Sequence, residues 1–168
     1  MKRLLLLLML LWLALASNAF AVGTCTASGP SFIHDTSFST GQKDAGVYVV
    51  TYTCTADVSA HTFPSTVISG TATASKLLWG WYLYSVETLS GATQITNSSS
   101  YTIKDASGFD LMGTKGASAI SNSTTVGVKT FAFPASGGFS PTVGPLTLAI
   151  TGNSVDSAVV TVELTFVK

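Results

Sequence analysis

The sequence predicts an all-β chain: a single antiparallel β-sandwich, immunoglobulin-like or jelly-roll-like, with seven or eight strands. Three observations point there. Past the first 21 residues the apolar positions alternate with period two almost throughout, and nowhere do they recur at helical spacing. Serine and threonine make up 45 of the 147 residues from Val22 onward (168 less 21), while lysine, arginine and glutamate are scarce. Threonine and valine suit half-buried pleated surfaces, and glycine and serine supply turns. Those turn signals recur every ~8–15 residues, the rhythm of short strands folded back on one another. No internal repeat with a period of ~20–50 residues is visible, which argues against a solenoid or propeller.

The chain opens MKRLLLLLMLLWLALASNAFA. Lys2 and Arg3 form a positive start, Leu4 to Ala16 an uncharged apolar run, and Ala19-Phe20-Ala21 puts small residues where a signal peptidase reads. Residues 1–21 are expected to be a cleaved signal peptide and residues 22–168 a single β-sandwich domain. The apolar run falls short of the ~20 residues of a bilayer span, so no membrane span is expected in the mature chain. Cys25 lacks the small residue directly before it that lipidation would use. The expected location is periplasmic, cell-surface or extracellular.

The strands follow in order. Val47 to Thr55 (VYVVTYTCT) sets Tyr48, Val50, Tyr52 and Cys54 against Val49, Thr51 and Thr53. Thr66 to Ala74 is a weaker strand, with Gly70 as a bulge. Leu77 to Leu89 is the strongest. Tyr101 to Lys104 leads through the turn Asp105-Ala106-Ser107-Gly108 into a returning strand, Phe109 to Met112. Val126 to Phe133 stops at Pro134, and Leu146 to Thr151 starts after Gly144-Pro145, where a proline removes no ladder bond. Ala158 to Val167 closes the domain, with Val160, Val162, Leu164 and Phe166 on one face. Gly152 to Ser157 reads as a short hairpin connection, which keeps the last strand in its own chain's sheet. Gly113 to Thr125 and Ala135 to Gly144 are the segments expected to be mobile.

Charge narrows the function. Without Lys2 and Arg3 the chain has six lysines, no arginine and eight acids, a net charge of −2. Nucleic-acid binding then lacks its main electrostatic term. The only cysteines are Cys25 and Cys54, too few for a zinc site and, in an exported chain, expected to form one disulfide.

Candidate chemistry is sparse. In KLLWGWYLYSVETL, Leu77, Trp79, Trp81 and Leu83 would share one strand face, and Leu78, Gly80, Tyr82, Tyr84 and Val86 the other. Trp79 and Trp81 are therefore the candidates for an aromatic ligand or interface platform. Their leucine, glycine and valine neighbours suit core packing better than sugar stacking. His34 and His61 are the only histidines, and no G-x-S-x-G, S-x-x-K or H-E-x-x-H motif accompanies them. Asp105 and Asp110 flank the DASGFD turn and are the candidates for a weak calcium site, though they lack a calcium loop's run of alternating oxygen ligands. No catalytic residue and no cofactor is expected.

Two resemblances add to this reading. The segment CTASGPSFIHDTSFSTGQKDAGVYVVTYTC resembles the opening of pilin-like and spore-coat-U-like secreted subunits. There a cysteine near the start of the first strand pairs with one at the end of the next, and Cys25 and Cys54 occupy matching positions. From about Gly80 onward the chain resembles a small all-β module of phage and prophage structural proteins. The features that carry it are Tyr101, Ile103, Asp105, Gly108 and Asp110 in a Y-x-I-x-D-x-x-G-x-D segment, and a late G-P-L-T-L strand. That likeness implies a sandwich in an assembly, without known catalysis. The signal peptide and cysteine pair depart from the phage module and favour an exported, bacterial or prophage-encoded surface protein. The function expected is a structural or adhesive subunit with protein partners or self-assembly. The alternative is a carbohydrate-binding module taking a surface glycan.

Overall fold

The computed structural model describes residues 23–33, 46–68, 78, 80–132 and 141–168. It is all-β. Eight strands run in the order β1 (Thr24–Ile33), β2 (Val47–Thr55), β3 (Thr66–Ile68), β4 (Tyr82–Ser90), β5 (Ser100–Lys104), β6 (Val128–Phe131), β7 (Leu146–Thr151) and β8 (Val159–Val167). They form two antiparallel sheets, β1-β2-β8-β4-β6 and β3-β7-β5, consistent with a β-sandwich. Among the described residues no helix is long and apolar enough to cross a membrane.

Period-two patterning builds the core. Tyr48, Val50, Tyr52 and Cys54 from β2 point inward beside Val160, Val162, Leu164 and Phe166 from β8, all buried. The smaller sheet contributes Ile68, Tyr101, Ile103, Leu146, Leu148 and Ile150 to the same buried cluster. The intervening positions of β2 and β8 are mostly valine and threonine, and they form the outer face of the larger sheet.

Four sequence expectations change. Gly152 to Ser157 is not a hairpin: β7 belongs to the three-stranded sheet and β8 to the five-stranded one, so this link crosses the sandwich. Gly152 and Ser157 both adopt positive φ, 83° and 50°, to turn that corner. The last strand does stay in its own sheet, but between β2 and β4. Phe109 to Met112 is not a strand: Asp110 makes one bridge to Lys104, and successive turns follow, Gly113 N–H to Asp110 C=O and Lys115 N–H to Met112 C=O. The long aromatic strand starts at Tyr82 rather than Leu77, after a turn in which Trp81 N–H donates to Leu78 C=O and Gly80 takes φ 76°. A bulge at Tyr84 then shifts the register between Leu83 and Ser85, so Val86 joins Leu83 on the inner face instead of opposing it.

The other boundaries are closer. β3 and β6 lie inside their expected spans, but Gly70, residues 69–77 and residues 133–140 lie outside the described residues. Gly113 to Thr125 runs along β5 and is hydrogen-bonded to it and to the residues just before it. Tyr101 N–H donates to Gly116 C=O, and Ile120, buried, exchanges backbone bonds with Ser98 and Ser99. Thr142, from the other expected loop, donates to Trp81 C=O through its N–H and to Leu78 C=O through its hydroxyl.

Two variants separate core from surface. Leu164→Ala should destabilise by about 2–5 kcal/mol in urea unfolding, because Leu164 is fully buried in the central strand. Val67→Ala, on a position 52% exposed, should stay within about 0.5 kcal/mol. Deleting residues 159–168 should abolish the cooperative transition altogether.

Candidate functional site

Cys25 and Cys54 sit directly opposite each other on β1 and β2 and are disulfide-bonded, as the sequence led us to expect. β1 is an edge strand whose ladder is with β2 alone, and its described side chains are largely exposed. The disulfide therefore anchors the element of the larger sheet that burial holds least.

The aromatic stretch divides. Trp79 lies outside the described residues. Trp81 is half-buried and packs against the core, edge-on to Tyr48 with ring centroids 6.3 Å apart. An added Cβ at Gly46 would come within 3.1 Å of that ring, so Gly46 leaves room for the indole. A different pair is exposed. Tyr84, which follows inward Leu83 and so faces outward, meets Phe131 of β6 at 5.4 Å with the rings 78° apart. The sequence reading did not find this pair, because it depends on the pairing of β4 with β6.

Beside the pair, Lys129 of β6 bonds Glu87 of β4 at 3.0 Å, and Glu163 of β8 stands opposite Glu87 in the ladder. Opposed like charges are unfavourable, and Lys129 offsets them. The hydrogen bond to Glu87, the charge of Glu87 and then that of Glu163 push the Lys129 ammonium pKa up. This face thus combines a threonine–valine sheet, two exposed aromatic rings and one charged cluster.

Asp105 and Asp110 act inside their turns. Asp105 Oδ1 accepts from Ser107 N–H (2.9 Å), Ser107 Oγ–H (2.6 Å) and Phe109 N–H (2.9 Å). Asp110 Oδ1 accepts from Ile103 and Met112 N–H, both at 3.1 Å. No group of three or more histidine, cysteine or acidic side chains able to hold a metal occurs among the described residues.

The remaining polar cluster surrounds His61; His34 lies outside the described residues. Asp57 Oδ1 accepts from Ser59 N–H (2.7 Å), Ser59 Oγ–H (2.9 Å) and Ala60 N–H, bracing a turn that ends at His61. His61 takes φ 58°, uncommon for a residue with a side chain. Asn153 Nδ2–H donates to His61 C=O (2.7 Å) and Val155 C=O (2.8 Å), while its Oδ1 accepts from Thr96 N–H (3.2 Å). His61 Nδ1 lies 2.5 Å from Asp156 Oδ1 without an aligned hydrogen bond, and both side chains are well exposed. Among the described residues no hydroxyl bonds the imidazole. Between segments 61–65 and 149–153 lies a cavity of 290 Å³.

No family model, curated protein or solved structure matches the chain.

Two predictions follow from this chemistry. Replacing both cysteines (Cys25→Ala with Cys54→Ala) removes a cross-link spanning 29 residues of sequence and should lower stability by roughly 3–4 kcal/mol. Urea unfolding of the oxidised protein against the double variant measures this.

Acid should also weaken the fold. Backbone bonds from Ala60 and Ser59 hold the Asp57 carboxyl below its usual pKa, and the Ser107 hydroxyl does the same for Asp105, followed by the Phe109 N–H. A depressed carboxylate stabilises above its unfolded pKa of about 4, and that contribution disappears as pH falls through the folded value. The contribution of these two carboxylates should therefore be complete above about pH 5 and decline below pH 4. Asp57→Asn should make that decline shallower.

Proposed function

We propose that this chain is an exported, non-enzymatic structural or adhesive β-sandwich subunit of a cell-surface or prophage-related assembly. The outer face of the five-stranded sheet carries the proposal. Val47, Val49, Thr51, Thr53, Thr55, Val159, Thr161, Thr165 and Val167 line β2 and β8 with Glu163 as their one charge, and Tyr84, Leu89 and Phe131 flank them exposed. A broad face of small β-branched side chains edged by aromatics has the makeup of a protein contact surface. Export is supported by the leader-like first 21 residues. The Cys25–Cys54 disulfide is compatible with an oxidising compartment.

A second reading, a carbohydrate-binding module, draws on one observation: Tyr84 and Phe131 stand beside Glu87 and Lys129, and sugar sites place aromatics next to charged and amide groups. The rings meet at 78°, however, and do not make one flat platform.

The test is solution size together with capture from envelope or virion fractions. Phe131→Glu should disperse self-association or abolish partner capture with the unfolding midpoint little changed. A wild-type protein that remains monomeric and captures nothing, but binds glycans in a Tyr84-dependent way, would move the assignment to the second reading.

A further inference from the structure

The 290 Å³ cavity marks a break in the smaller sheet, and backbone bonding shows what the break exposes. β5 and β7 pair with Ser100 opposite Thr151, Tyr101 opposite Ile150 and Thr102 opposite Ala149. In an antiparallel ladder, successive residues direct their N–H and C=O alternately toward one neighbour and the other. Tyr101 N–H goes to Gly116, Ile103 N–H to Asp110, and Ile103 C=O to Leu111, all away from β7. Ser100, Thr102 and Lys104 therefore bond β7 through Thr151, Ala149 and Thr147. Leu146, Leu148 and Ile150 must direct their own groups to the opposite side, toward β3.

β3 meets only two of these three. Ile68 and Thr66 stand opposite Leu146 and Leu148, and there the strand ends. Continuing the register puts Pro64 opposite Ile150. Proline has no N–H to give, and Pro64 C=O already accepts from Thr66 Oγ–H at 3.1 Å. The chains meet again only at the Asn153–His61 bond, in the same register. Between these two closures the Ile150 N–H and C=O face the cavity, with no donor or acceptor reaching them from the described residues. Ile150 is buried, and buried backbone groups are paired in the great majority of native structures.

We infer that this mouth is a binding site for a short, uncharged, extended peptide segment, which adds as a strand at Ile150. An unpaired N–H and C=O on one strand residue match the C=O and N–H of one residue in an antiparallel strand, the bonding used in strand addition. The volume lies just below the roughly 300–1,000 Å³ typical of ligand sites. Phe63 and Ala149 supply apolar lining, while Ser65, Thr62 and Thr151 supply hydroxyls, a composition that suits small uncharged side chains. The inference deepens the subunit reading by naming a surface through which a partner segment would dock.

The experiment titrates isotope-labelled, disulfide-oxidised protein with the capped peptide acetyl-Val-Thr-Val-N-methylamide and follows amide resonances. Saturable shifts at Ile150, Thr151 and Phe63, with an affinity on the order of millimolar, are expected. Ala149→Phe, which adds a ring at a residue lining the mouth, should weaken binding roughly tenfold or more. Absence of shifts in the wild type, undiminished binding in Ala149→Phe, or binding of N-acetylglucosamine in preference to the peptide each overturns the inference. Self-association lost in Phe131→Glu while the peptide fails to bind overturns the inference alone and leaves the subunit reading standing. Peptide binding by a protein that neither self-associates nor captures a partner supports the inference against that reading.

Discussion

The pairing of Val47–Thr55 with Val159–Val167 holds the larger sheet together. It runs unbroken over nine residue pairs and joins segments more than 100 positions apart in the chain. β8 then passes the ladder on to β4, so β1, β4 and β6 are all arranged around strands that this contact fixes. Its inner face, Val160, Val162, Leu164 and Phe166, is fully buried and makes up the floor on which the smaller sheet rests. Contacts this distant in sequence close late and slow folding. Much of the core therefore waits on the last segment of the chain.

A sandwich built this way has four edges, and each is blunted by a different device. β1 carries Pro30 at its register shift, between Ser28 and Ser31, where a missing N–H breaks the row of donors. β6 is only four residues long. β5 is covered by the segment that runs from Asp110 to Ile120. β3 is three residues long, and its short reach leaves the Ile150 backbone facing a cavity. Three of these devices close the sheet against other chains, and the fourth leaves a small, bounded opening.

The polar groups follow the same economy. Asp57, Asp105 and Asp110 each gather two or three donors and hold turns. Asn153 does for the corner between the sheets what those carboxylates do for single turns, binding segments from around Thr96, His61 and Val155. Without it the crossing from β7 to β8 would leave His61 C=O and Thr96 N–H without these partners.

Alternation alone determined the fold class, the spans of β2, β7 and β8, and the inward set on each, because burial on one face of a strand imposes period two whatever the neighbours are. The cysteine count likewise determined the disulfide, since the chain has two cysteines and both lie on paired strands. Tertiary structure decided which strands are neighbours. Gly152 to Ser157 has the residues of a hairpin, but those residues serve equally for a crossing between sheets. The choice was made by where the apolar faces of Leu146–Thr151 and Val159–Val167 could be buried: facing each other across the core. The bulge at Tyr84 was likewise invisible, because an extra residue has meaning only against a partner strand's count, and so was the outward pair of Tyr84 and Phe131, which depends on the pairing of β4 with β6. The mouth at Ile150 was hidden for the same reason. Proline in a loop is unremarkable in sequence, and Pro64 matters only because register sets it opposite a backbone group with no other partner.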